Sequence, residues 1–530
     1  METGTANHIM NDAEGSLSPS FFSICVIDVK DANIGVVRLR NAEDVNIMSR
    51  DGGRRGARGS CPAYWTLSHR WGDASNILQL TKNTEQDFSK SISTDNLPPT
   101  FRDAALLVQR LGFRYLWIDS LCIFQDSLSD WHQQTNAMVN IYRNSYCNIS
   151  AVGSSYNPST ERLFKERTWS RRLLYPFVVK GDFQPFVDDP DDDLSDRRWV
   201  GWNNSMWHHE IEKAPLSTHA WVVQERFLAT RVIHFAQNQI FWECLGSIRC
   251  GIDPNSTLMT MRTTIRFCDT TTEYKSSRLE LESYTATDAR SGHTSKLGLN
   301  LYHEWKAIVS VYTGCKLTKE SDRLVALSGI AKMFREISGD TYIAGLWKGM
   351  IHIDFAWTSN AIQGIPARRS AFYAPSWSWA SIVGGQVQLY LDHRADTGSK
   401  PLMKLRAAST LVKGHKTHSR MCLQDPRTFY GDPAGALCSA ELDIVCIPYY
   451  YRWVSQGEEL SLYGDEKMTN HRLDLDGTLQ IGKSGGWFKR LYLDTADLVD
   501  QFAEADNMEA MCVPFMEDYR LGGTNWVIQG

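Results

Sequence analysis

The run Tyr115-Leu116-Trp117-Ile118-Asp119-Ser120-Leu121-Cys122-Ile123-Phe124-Gln125-Asp126 brings a carboxylate, a thiol and an amide into one short stretch. A carboxylate closing an apolar run is placed to move a proton or to face a developing positive charge, so Asp119 is the first candidate for chemistry. A second group of reactive types, Ser68, His69 and Asp73, follows Tyr64-Trp65-Thr66-Leu67. Neighbours this close in sequence rarely meet as a Ser-His-Asp triad, and no G-x-S-x-G elbow accompanies them. Cys122, with His132 farther along, has the type of a nucleophile, yet a free Cys inside Leu-Cys-Ile usually behaves as a small core hydrophobe. Cys244 and Cys250 are the closest cysteine pair, and without a second pair or a His-x3-His they make a poor zinc signature. No phosphate-cradling glycine loop of the G-x-x-x-x-G-K-[ST] type occurs.

The elements that must position these groups are legible around them. Pro98-Pro99 bars helix before that point, and Thr100 with Asp103 makes an acidic form of the capping box. Phe101, Ala104, Ala105, Val108 and Leu111 then fall on one helical face, and Gly112 stands where a stop belongs. A helix, a short turn and a buried strand over 115–123 form an α/β unit, in which ligands bind beyond the carboxyl ends of the strands. Tyr64 to Leu67 suits a second strand, whose end would set Ser68, His69 and Asp73 on the same rim as Asp119. Residues 130–142 form a helix with Trp131, Gln134, Met138 and Ile141 on one face, and 148–152 a further strand. Residues 215–228 hold another helix, with Ser217 as N-cap and Trp221, Gln224, Glu225 and Leu228 near one stripe. A hairpin of Arg231–Phe235 and Ile240–Glu243 follows it. Two short strands, 21–27 and 34–39, precede all of this.

Farther on, 299–311 and 321–334 have helical periodicity, the second with Leu324, Leu327, Ile330, Ala331 and Phe334 inward. Residues 374–381 suit an extended aromatic strand. Short strands are expected at 386–391, 440–446, 478–481, 487–493 and 526–528. Residues 1–20 look disordered, the Arg-rich 51–60 a solvated loop, and 269–296 a linker. The acidic segment 182–200, with Asp188, Asp189 and Asp191 to Asp193, lacks the alternating pattern of a calcium loop.

At 530 residues the chain exceeds one ordinary core, and two or three domains are expected. With a net charge of -5 and no Lys/Arg cluster longer than a few residues, nothing argues for nucleic acid or an anionic membrane. Scattered cysteines (12 in all) behind a polar N-terminus indicate reduced thiols and a cytoplasmic protein. No apolar run is long enough to span a bilayer.

Three blocks in order, Tyr64–Gly72, Leu97–Ala151 and Leu216–Cys244, carry a resemblance. The first matches Y-x-x-L-S-[YH]-x-W-G. The second matches L-P-x-T-x-x-D-A through Y-L-W-I-D-S-L-C-I-x-Q-D-S. The third matches L-S-T-x-x-W-x-x-Q-E-R-x-L-x-x-R followed by W-E-C. Together they resemble the heterokaryon incompatibility (HET) domain of filamentous fungi, over roughly residues 61–245. One departure stands out: His219 occupies a position that is usually Arg, replacing a permanently charged fork by an imidazole that titrates near neutrality.

The resemblance implies an α/β HET domain, a sheet flanked by helices, remotely similar to TIR domains. On that layout 1–60 is an N-terminal extension, 61–245 the HET domain, 246–298 a linker and 299–530 a mixed α+β region. It implies an effector role in allorecognition and programmed cell death after hyphal fusion. The TIR likeness adds NAD⁺ as a substrate, with no cofactor required, cleaved at the nicotinamide–ribose bond. Such a reaction uses carboxylates to stabilise an oxocarbenium-like ribose and to orient water. Asp119, Glu225 and Asp126 are then the catalytic candidates. Ser68, Trp71, Gln125, Gln224 and Arg226 are the ligand-binding ones, Trp71 as a stacking surface. Each also has a plain structural role open to it: Asp119 as a loop cap, Glu225 in a buried ion pair, Trp71 as a core anchor. The competing expectation is a non-enzymatic module that signals through self-association or a protein partner.

Overall fold

The computed structural model describes residues 25–41, 63–72, 78–153, 161–165, 177–180, 198–201, 206–245, 247–251, 294–355, 357–361, 368–369, 374–375 and 377–389, with further strand segments between 400 and 529. The stretches 1–20 and 51–60, Asp73, the aspartates at 188–193, the strand at 487–493 and nearly all of 269–296 lie outside the described residues. The chain divides into two compact units, Met1–Glu282 and Ser283–Gly530.

In the first unit the chain runs through β1 (Cys25–Asp28), β2 (Val36–Asn41), β3 (Tyr64–Ser68), α1 (Glu85–Lys90), β4 (Ile92–Ser93), α2 (Pro99–Arg110) and β5 (Tyr115–Trp117). It continues through α3 (Asp119–Cys122), α4 (Leu128–Asn144), β6 (Cys147–Ser150), β7 (Phe177–Lys180), β8 (Arg198–Gly201), α5 (Ala220–Leu228), β9 (Arg231–Phe235), β10 (Ile240–Cys244) and β11 (Ser247–Cys250). Nine of these strands form one sheet in the order β11-β10-β9-β6-β3-β5-β1-β2-β4, while β7 and β8 pair apart from it. The four central strands, β9, β6, β3 and β5, are parallel, and the flanking pairs are antiparallel. This is a mixed α/β fold built on a large sheet flanked by helices.

Counted among the parallel strands alone, the order is second, first, third, fourth. The chain leaves β3 toward β5, then returns across β3 to β6 and moves on to β9. Right-handed crossovers make that reversal a change of sheet face. Side chains confirm it, because successive strand residues point to opposite faces. Ser68 meets Glu225 of α5, whereas His69 packs edge-on against Phe101 of α2 at 4.7 Å. The reversal lies between β3 and β6, and a crevice outside their carboxyl ends is the general ligand position in such sheets.

All five residues of β3 are buried, as are all four of β6, as expected for strands covered on both faces. The sequence expectation of a strand over 115–123 is corrected: β5 ends at Trp117, and Asp119–Cys122 is one turn of helix. The physical reason is burial all round. Ser120, Leu121 and Cys122 are at most 1% exposed, so the turn carries the same apolar signature as a strand.

The capping box is corrected too. Pro98 is the N-cap of α2 and Pro99 its first residue, where a missing N–H costs nothing. Thr100 and Asp103 face another segment: the Thr100 hydroxyl donates to the Glu161 carbonyl, and Asp103 accepts from the Arg162 guanidinium and the Leu163 amide. Leu111, expected inward, is 51% exposed at the C-cap. Gly112 does end the helix, at φ +83°. Ser217 is not an N-cap, since it lies inside a 3₁₀ turn, Pro215–Thr218, and His219 takes the cap of α5.

The second unit holds a long helix, Thr294–Thr313, that contains the expected 299–311. The expected helix over 321–334 is broken into 3₁₀ turns at Glu320–Asp322 and Val325–Leu327 before a helix at Ser328–Ser338. The described residues of 374–381 do not form one extended strand. Ser378 caps a 3₁₀ turn, Trp379–Ser381, and grips the turn of a tight hairpin: its hydroxyl donates to the Ala344 carbonyl while the Trp379 indole donates to Gly345 O. Gly345 sits at φ +101°, and a Cβ there would fall 2.9 Å from the Trp379 indole nitrogen, so a side chain has neither the backbone angle nor the room. Beyond 400 the longest strands among the described residues are Lys404–Val412, Leu437–Val445 and Met508–Asp518.

Candidate functional site

The rim at the carboxyl ends of β3, β5 and β6 is assembled from three short segments. β3 supplies Ser68 and, in the loop after it, His69, Arg70 and Trp71. The chain leaving β5 supplies Asp119, and α5 supplies Glu225. The fold therefore brings Asp119, Glu225, Ser68, Trp71 and Gln125 to one end of the sheet.

Glu225 sits below the rim. Its carboxyl accepts the Ser68 hydroxyl and also bonds Tyr142 of α4. Ser68 accepts in turn from Asn148 Nδ2 at 2.9 Å, and Asn148 Oδ1 accepts from Thr66 at 3.0 Å. Ser68, Tyr142 and Asn148 are each 1% exposed and Glu225 8%. Burial raises the Glu225 carboxyl to about 7, and the Asp119 charge adds to this while the Ser68 and Tyr142 hydroxyls pull back. A carboxyl raised toward neutrality exchanges its proton more readily near neutral pH, the condition under which one group both accepts and returns a proton. Burial, followed by Glu225 and Asp119, pushes the Tyr142 phenol well above its ordinary value, which keeps it a hydrogen-bond donor.

Asp119 is the open carboxylate, with a side chain 26% exposed. Oδ2 accepts from the Trp71 indole N–H at 2.6 Å and Oδ1 from the Ser120 amide at 2.7 Å. His69 Nδ1 lies 3.6 Å from Oδ1, on a side chain only 3% exposed. Gln125 donates to the Ile123 carbonyl at 2.9 Å and lies 3.4 Å from the Asp119 carbonyl, which closes the loop beneath the carboxylate. Arg70 Nε donates to His219 Nε2 at 3.2 Å, so the departure at position 219 meets a guanidinium from the β3 loop. Accepting that bond requires an unprotonated Nε2.

The other expected site residues go elsewhere. Asp126 is exposed and accepts from the Lys82 amide at 3.0 Å. Gln224 is fully buried. Arg226 turns from its neighbour Glu225 to make a two-pronged bond to Glu243 of β10, at 2.9 and 2.8 Å, and lies over the Trp207 ring. His234 of β9 joins the same carboxylate at 3.0 Å. Cys122 is buried and its thiol is held well above its ordinary value, chiefly by burial, which removes the thiolate a nucleophile needs. Among the described residues no group of three or more His, Cys, Asp or Glu is placed to hold a metal ion. None of their helices is long and apolar enough to cross a membrane.

Sequence reasoning missed Tyr142 and Asn148. Asn148 did carry a signal, an amide inside the short buried run Cys147-Asn148-Ile149-Ser150. Tyr142 carried none beyond a place on an inward helix face.

Residues 64–225 match the family model described as heterokaryon incompatibility protein (HET). The chain carries a HET domain. The match opens on the first residue of β3 and closes on Glu225, so the HET domain spans the parallel strands β3, β5 and β6 and both rim carboxyls. It leaves out Arg226 and its partner Glu243. Neither the search of curated proteins nor that of solved structures finds a match. The HET domain supports a function related to heterokaryon incompatibility.

Proposed function

We propose that this HET domain is the effector of an incompatibility response, triggering cell death by hydrolysing the nicotinamide–ribose bond of NAD⁺ at the rim of β3, β5 and β6. The observation that supports this reading is the contrast between two carboxyls at one end of the sheet. Glu225 is buried and poised near neutrality, whereas Asp119 is held by an indole and an amide with one side toward solvent. Environments that separate two carboxyls in this way divide the roles of charge stabilisation and proton acceptance.

In the proposed reaction the ribose C1′–N bond breaks and its electron pair neutralises the nicotinamide ring. Asp119 faces the positive charge left on the ribose. Water forms the new C1′–O bond, and its proton passes through the Ser68 hydroxyl to Glu225. The strand order, reversing between β3 and β6, supports placing the substrate at that crevice.

The test is induced expression in yeast of wild type, Asp119→Ala and Glu225→Gln, each checked for soluble yield, with NAD⁺ sampled before viability falls. The expected result is early NAD⁺ loss in wild type and a drop of about 10²-fold or more in its rate for each variant. Death with NAD⁺ intact would remove the cleavage reading and leave a domain that signals through self-association or a protein partner.

A further inference from the structure

The His69 imidazole lies at the base of the rim with its side chain 3% exposed, and neither ring nitrogen has a well-formed hydrogen bond, although the Leu67 backbone lies near it. A buried polar group without a good partner is costly, so a ring in this state favours any arrangement that satisfies it. The surroundings offer one. Phe101 closes the far side edge-on at 4.7 Å, and Nδ1 faces Asp119 Oδ1 at 3.6 Å, just beyond hydrogen-bond length. Asp119 already takes one donor on each oxygen, from Trp71 and Ser120, and a carboxylate has room for about two more. Catalytic hydrogen bonds are often long in an empty site and tighten around the ligand.

We infer that His69 is a positioning residue for Asp119, directing its Nδ1–H at Oδ1 already in the free protein and fixing the carboxylate with a third donor, a contact that shortens when a ligand engages the rim. Burial lowers the proton affinity of the ring, against the pull of Asp119 and, less, of the Leu67 carbonyl. The ring is therefore neutral, with a single N–H to place, and Leu67 is the rival acceptor. The ring itself touches no substrate. Its effect on turnover rests on the cleavage reading, whereas its pairing with Asp119 does not.

Two measurements test this. In the full chain with ¹⁵N-labelled histidine, the His69 signals are assigned by their loss in His69→Gln and compared between wild type and Asp119→Asn. The pairing predicts one tautomer, protonated at Nδ1, whose Nδ1 resonance moves in Asp119→Asn. An unmoved resonance would overturn it and assign the ring to Leu67. The second measurement is NAD⁺ turnover by His69→Asn, whose amide can stand where Nδ1 stood, beside His69→Phe, which keeps the packing alone. At equal thermal stability Asn should stay within about tenfold of wild type, while Phe loses about 10–100-fold in kcat with KM little changed. Equal loss in both would reject a positioning role. If wild type cleaves no NAD⁺, the function proposed above fails, and the resonance comparison still decides the pairing.

Discussion

A carboxyl sealed between two helices and a sheet couples protein stability to pH. Glu225 goes from an ordinary 4.5 to about 7 on folding because burial disfavours its charge. A raised folded value means that the stability is complete below about pH 4.5 and is lost as pH climbs through about 7. At about 1.4 kcal/mol per pH unit the loss approaches roughly 3 kcal/mol. Glu225→Gln keeps the shape without the titration. The unfolding midpoint of wild type should therefore fall relative to Glu225→Gln between about pH 5 and about pH 8, and parallel profiles would show that the carboxyl is not buried as described. The sequence placed Glu225 among the candidates, left a buried ion pair open to it, and expected Glu225 and Arg226 to find other partners rather than each other. Adjacent helix residues diverge by about 100°, and here that sends Glu225 to Ser68 and Arg226 to Glu243.

One ion cluster couples the elements around the site. Arg226 ties α5 to β10 and His234 ties β9 to the same Glu243, whose side chain is 2% exposed. Removing one partner of a buried pair strands the others, which typically costs about 3–5 kcal/mol. Glu243→Ala should lower the denaturation midpoint accordingly, with Glu243→Gln intermediate because its amide oxygen still accepts one bond. A loss under about 1 kcal/mol would mean that Arg226 finds solvent instead. The helix periods and the β9–β10 hairpin were legible because alternation and turn residues are local signals. The fate of Thr100 and Asp103 was not, since their partners, Glu161 to Leu163, lie in a segment distant in sequence, nor was the cap of α5, which the 3₁₀ turn Pro215–Thr218 moves from Ser217 to His219.

On the scale of the molecule, the nine-stranded sheet, its covering helices and the whole rim belong to the unit Met1–Glu282. A unit with its own core is expected to fold alone. Residues 1–282 expressed by themselves should unfold cooperatively and keep the pH signature of Glu225. An aggregated or non-cooperative fragment would show that this unit needs the rest of the chain. The second unit has a buried aromatic group of its own, with Trp305 against Phe334, Tyr342 and Trp347.

By itself the sequence determined the HET domain and the α/β character, and it named Asp119, Glu225 and Asp126 as candidates, because apolar period, helix stops and motif spacing are written in consecutive residues. Only the tertiary structure decided that β3 lies between β5 and β6, and therefore that Ser68 meets Glu225 while His69 and Trp71 meet Asp119. Strand order depends on which faces the crossovers cover, and the proton affinity of Glu225 depends on what then excludes water from it. Neither is carried by any one stretch of chain.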